Sequence, residues 1–154
     1  MTKLTRREML AITAAGTAGA ALTKGNDVPV ASGLSGGTQP RIRVGTLAEV
    51  SRGPLQFSYP SSSYPAQATR LPDGKVIAYS LICTHIGCPV EYTATRETFV
   101  CPCHQSIFSA VRDGAVLQGA APRPLPKIRL DIDTKTGTIY AVGISAPPYG
   151  ASEG

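Results

Sequence analysis

The sequence predicts an all-β domain over residues 41–154, a small antiparallel β-sandwich or partly open barrel with two loops rich in Cys and His. Three observations carry that prediction. From Arg41 onward the chain is a series of short β-compatible runs separated by turn residues. The 16 Gly and 13 Pro are many for 154 residues and favour turns over long helices. No long amphipathic pattern follows residue 24, although Thr46–Val50 has room for one helical turn.

Taken in order, Arg41–Val44, Leu55–Tyr59 and Ala66–Leu71 read as the early strands. The turn Pro72-Asp73-Gly74 feeds Lys75–Ile82, whose Val76, Ile77, Ala78, Tyr79, Leu81 and Ile82 mark a largely buried strand. Thr98–Cys101, Ala115–Leu117, Lys127–Ile132 and Thr138–Val142 continue the series. In Lys127–Ile132, Ile128, Leu130 and Ile132 alternate with Arg129 and Asp131, one face for a core and one for water. Asp133–Gly137 then makes a five-residue hairpin turn.

Ahead of the domain, residues 1–22 have the layout of an export signal. Arg6 and Arg7 precede a mild apolar run of 14 or so residues that Gly16 and Gly19 interrupt before it ends at Leu22. A bilayer core needs roughly 20 apolar residues in one helix, so a permanent anchor is not expected; any membrane association would come through this segment. The arginine pair resembles a twin-arginine signal, which implies a periplasmic, exported protein. Residues 23–40 are rich in Gly, Ser and Pro and read as a flexible linker.

Net charge excludes one class of partner. Of the +5 total, residues 1–22 hold +2, from Lys3, Arg6 and Arg7 against Glu8. The remaining +3 is scattered and not interleaved with aromatics, which argues against nucleic acid.

Chemistry gathers in one place. All four Cys and both His lie within 22 residues: Cys83, His85 and Cys88 in one loop, Cys101, Cys103 and His104 in the next. Cys83-Thr84-His85, then 15 residues, then Cys101-Pro102-Cys103-His104 lets each loop offer one thiolate and one imidazole. A binuclear iron cluster with two Cys on one iron and two His on the other needs that supply. A structural zinc site could use the same four residues, but it leaves the second cysteine of each loop, Cys88 and Cys103, without a purpose. These two can pair as a disulfide tying the loops together, a bond that an exported protein tolerates. With the cysteines and histidines committed in this way no nucleophile–base pair remains, and there is no phosphate-cradling glycine motif. The chain is therefore not expected to be catalytic alone.

Cys83–Cys88 and Cys101–His104 resemble the two boxes of the Rieske family, and Gly119-Ala120-Ala121-Pro122 resembles its proline loop, which covers the cluster from a third side. The resemblance implies one [2Fe-2S] cluster held by Cys83, His85, Cys101 and His104, with Cys88–Cys103 disulfide-bonded as in respiratory-type members. It also implies that Ser106 donates to a bridging sulfide, and that Phe108 stands where many members of cytochrome bc complexes have a tyrosine donating to a ligand sulfur. Two imidazoles in place of two thiolates make electron uptake easier, and Rieske potentials span about −150 to +300 mV. The expected midpoint falls as pH rises above neutrality, rises with Phe108→Tyr and falls with Ser106→Ala. Ile86, Pro89 and Ile107 are candidates for an apolar docking rim.

Within the family, Phe57-Ser58-Tyr59-Pro60, Phe108 and the twin-arginine start resemble the small subunit of arsenite oxidase. That likeness implies a large molybdopterin subunit as electron donor and a soluble cytochrome c or azurin as acceptor. The Rieske subunit of a cytochrome bc-type quinol-oxidising complex is the alternative. Gln105, where bc-type proteins have glycine, and Ala120, where the cover loop commonly has proline, both depart from that alternative.

Overall fold

The structure, a computed structural model, describes residues 38–151. The export signal expected at 1–22, and the linker expected at 23–40 up to residue 37, lie outside those residues. The domain starts with β1 (Ile42–Thr46) and a single helical turn, α1 (Leu47–Val50). Thr46 caps that turn by accepting the Glu49 N–H at 3.2 Å. Then come β2 (Leu55–Ser58), β3 (Pro65–Arg70), β4 (Val76–Ser80), β5 (Glu91–Thr93), β6 (Thr98–Cys101), β7 (Ser106–Ser109), β8 (Val116–Gln118), β9 (Ile128–Asp133) and β10 (Thr138–Ile144). They form three antiparallel sheets, β1-β10-β9, β2-β3-β4 and β5-β6-β7-β8, with no closed barrel among the described residues.

Two apolar cores meet at β4, which explains its unbroken apolar run. On one face Ala78, with Val76 half-buried, packs with Tyr59, Ala66, Ala68, Ile128 and Ala141 between the first two sheets. On the other, Ile77 and Tyr79 pack with Leu71, Phe99, Phe108 and Leu125 beneath the third sheet. A strand apolar on both faces belongs between two layers, because strand side chains alternate. Tyr79, fully buried, donates its hydroxyl to the Ala110 carbonyl at 3.0 Å and stacks edge-on to Phe99 at 5.3 Å. Burial pushes its ionisation up to about 12.

The expected turns form. Leu71 and Lys75 close the first, with the Lys75 N–H donating to the Asp73 carboxylate at 2.9 Å. At the second, the Gly137 N–H reaches the Asp133 carbonyl at 2.7 Å. Strands β5 and β7 and the 3-10 turn Ala94–Arg96 are not predicted by apolar alternation. Glu91–Thr93 is three residues with little apolar content, and β7 begins at the polar Ser106 directly after a Cys/His loop. Both are held by pairing with β6 rather than by their own pattern.

Candidate metal centre

Two loops project from this third sheet and its approach. The first follows β4: an antiparallel bridge of Ile82 with Pro89 makes Cys83–Cys88 a closed loop. The Cys83 N–H donates to the Cys88 carbonyl at 2.7 Å and the Gly87 N–H to the Cys83 carbonyl at 3.0 Å. Gly87 turns the chain at φ +81°, a conformation that glycine adopts without a steric cost. The second loop is the hairpin from β6 to β7, in which Cys101 and Ser106 are register partners. Gln105 lies there at φ +53°, in the left-handed region, which accounts physically for glycine at this position in the bc-type proteins.

The structure brings the expected residues together. Cys88 and Cys103 form the disulfide expected of them, joining the loops, with their Cα atoms 6.5 Å apart. The Cys101 sulfur lies within 4.8 Å of both bonded sulfurs. Cys83 and Cys101 are free thiols, 0% and 1% exposed, and belong to the same core as Phe99 and Phe108. His85, half-buried, and His104, exposed, face each other edge-on with ring centroids 4.7 Å apart. Thus the thiols sit inside and the imidazoles outside.

Electrostatics indicates what such a set would accept. Burial pushes the Cys83 thiol up, and the adjoining Cys101 thiol pushes the same way. The His85 backbone N–H and the Ser106 hydroxyl, both donating, pull it down. Two buried thiolates side by side require positive charge between or beside them. The His85 Nδ1 is buried with no hydrogen-bond partner, alongside Gln67 Nε2 and Thr98 Oγ1 among the described residues, and it alone of the three belongs to this site. Buried polar atoms are nearly always satisfied, so a ring nitrogen left without a partner here fits a ligand role. The residues present fit a metal cluster.

A third segment closes over Ser106. The Ser106 hydroxyl, fully buried, accepts the Ala121 N–H at 3.1 Å. Gly119, at φ +94°, passes so close that a Cβ there would stand 2.4 Å from the Ser106 Cα. The Thr84 hydroxyl donates to the Arg123 carbonyl at 2.7 Å, fastening this cover segment to the first loop as well. Thr84 is a site residue not singled out from sequence, where it reads as mere spacing between Cys83 and His85. Of the expected docking rim, Ile86 is 50% exposed and Pro89 is exposed, whereas Ile107 is half-buried. Residues 83–90, 101–107 and 117–124 contain no carboxylate, and Arg123 is their one charged side chain.

Comparison with known proteins agrees with this geometry. The Rieske [2Fe-2S] domain family matches residues 44–129. The chain is 32% identical over 126 residues to iodate reductase subunit IdrB of Denitromonas iodatirespirans, covering 73% of this chain and 67% of that one. It is 44% identical over 78 residues to the cytochrome bc1 complex Rieske iron-sulfur subunit of Corynebacterium diphtheriae, covering 50% of this chain but only 19% of that longer protein. Among solved structures, the soluble domain of Rieske protein II (soxF) from Sulfolobus acidocaldarius superposes with a TM-score of 0.67 at 28% identity, covering 78% of this chain and 84% of that one. The plasma membrane Rieske protein PetC3 from Synechocystis superposes at 0.55 with 31% identity, over 65% of this chain and 97% of that one. Paired loops, paired thiols, paired imidazoles and a matching family over most of the domain lead to one conclusion: the chain belongs to the Rieske family and is a [2Fe-2S] electron-transfer protein.

Proposed function

We propose that this chain is the electron-transfer subunit of an exported oxidoreductase whose catalytic subunit is a separate, molybdopterin-bearing chain of the arsenite oxidase type. Cys83 and Cys101 would hold one iron and His85 and His104 the other, and the bound cluster would supply one-electron uptake and release. The chain's own residues do the rest. The buried thiols anchor the inner end, the Ser106 hydroxyl and His85 N–H donate toward Cys83, and the disulfide fixes the loops relative to each other. The exposed edge of His104 shortens the path to a partner.

The observation that carries this reading is the exposure gradient from buried Cys83 and Cys101 to exposed His104. It suits relay between proteins. The chain spans 67% of the iodate reductase subunit and about a fifth of the Corynebacterium diphtheriae bc1 subunit. We place export on the arginine pair at Arg6 and Arg7, with a cytochrome c or azurin as acceptor. A bc-type quinol-oxidising complex is the second reading, supported by the 44% identity over 78 residues to a bc1 complex Rieske subunit. No helix among the described residues is long and apolar enough to cross a membrane.

Metal and cofactor content of what co-purifies with the tagged, exported protein tests both. Iron with molybdenum supports the first reading, iron with b-type haem supports the second, and zinc in place of iron overturns both.

A further inference from the structure

The chain leaves β10 at Ile144 and turns back through residues 145–151. This return is fastened at its start, where the Ser145 N–H donates to the Lys127 carbonyl at 2.8 Å and its hydroxyl accepts the Lys127 N–H at 2.9 Å. It is fastened again at Pro148, which is fully buried, and by a turn in which the Ala151 N–H donates to the Pro148 carbonyl at 3.1 Å. Tyr149 sits at the corner of that turn, 41% exposed. Its ring is nonetheless in contact with the first loop: a Cβ built on Gly87 would stand 2.6 Å from Tyr149 Cδ1 and 3.0 Å from Cε1. The ring edge therefore fills the space that a side chain at 87 would take, and it does so through carbon atoms.

Gly87 lies between His85 and Cys88, and its neighbour Ile86 is half exposed, so this stretch has little protein on its outer side. The disulfide and the cover segment hold the loop from elsewhere. We infer that Tyr149 is a positioning residue for the redox centre: its ring braces the first loop at Gly87 and holds the turn, closed by the Gly87 N–H on the Cys83 carbonyl, that orients the backbone N–H groups between Cys83 and Cys88. Backbone donors directed at a ligand sulfur favour the more negative, reduced state, so loosening the brace lowers the midpoint. This inference rests on the cluster reading of residues 83–104.

Full-length protein carrying Tyr149→Ala, Tyr149→Leu and Tyr149→Phe tests it with three readouts: midpoint by voltammetry, the linewidth of the reduced protein's electron paramagnetic resonance, and thiol release from Cys88–Cys103 under dithiothreitol. The Ala and Leu variants should favour the electron up to tenfold less, which for a one-electron couple is about 59 mV. They should also show broader resonances and several-fold faster thiol release. The Phe variant keeps the ring carbons and should match wild type in all three. The inference is overturned if Ala and Leu behave as wild type, or if Phe is as disturbed as Ala. Wild-type protein that binds no iron would instead defeat the cluster reading, and thiol release would still report on the brace.

Discussion

Ser106→Ala separates redox tuning from folding, because the one hydroxyl serves both. Its oxygen accepts the Ala121 N–H at 3.1 Å, which leaves its own proton free to donate toward a sulfur of the cluster. A hydrogen bond to a charged acceptor is worth about 1.5–3 kcal/mol net, and only the part that differs between the two redox states moves a potential. Taking that difference as about 1 kcal/mol lowers the midpoint by about 40 mV, since 1.4 kcal/mol corresponds to about 59 mV for one electron. The substitution also strands the Ala121 N–H, in a residue only 9% exposed, at a cost of about 1–3 kcal/mol. At about 5 °C per kcal/mol for a domain of this size, the melting temperature should fall by at least 5 °C or so. Film voltammetry and scanning calorimetry on the same preparation read both numbers. A midpoint that stays put or rises, while the melting temperature falls, would show that the hydroxyl serves the cover segment alone and would refute the donor role.

Three further outcomes are expected. Replacing Cys88 and Cys103 together by Ser opens a loop of sequence separation 15, which should remove about 3 kcal/mol in the chain-entropy model; calorimetry and iron retention under chelator would report it. Phe108→Tyr adds a hydroxyl to a fully buried ring in the same core as Cys83 and Cys101, and should raise the midpoint if that hydroxyl finds a ligand sulfur. Voltammetry checks it, and a lowered midpoint would contradict the idea. Tyr79 has its ionisation raised in the folded state to about 12 from 10, so its contribution is intact below pH 10 and is lost as pH climbs toward 12. Denaturant titrations across that window should show stability falling with pH in wild type and a flatter profile in Tyr79→Phe, which itself costs about 1 kcal/mol for the lost bond to Ala110.

Sequence alone reached the site further than it reached the sheet around it. Thr98–Cys101 and the start of β10 at Thr138 are legible because β-branched and aromatic residues alternate there, and the disulfide partners stand out as the cysteines left over from the ligand pattern. β7 is not legible, since Ser106 reads as loop chemistry and only its pairing with Cys101 makes it strand. The predicted strand over 75–82 is shorter in fact, because Ser80 takes up the Pro126 carbonyl and the chain beyond it bends into the first loop. Thr84 and Tyr149 were hidden for the same reason. Each acts through a partner 39 and 62 residues away in the chain respectively, Arg123 and Gly87, and no local pattern encodes such a meeting.

The scarcity of charge around the loops bears on how a redox partner arrives. With Arg123 alone among residues 83–90, 101–107 and 117–124, the exposed histidine edge projects almost no field of its own. Encounter there would run at the unsteered rate of about 10⁵–10⁶ M⁻¹ s⁻¹ and change little between low and high ionic strength. Throughput would then depend on the partner's concentration, or on its being permanently tethered in a complex, and not on long-range attraction.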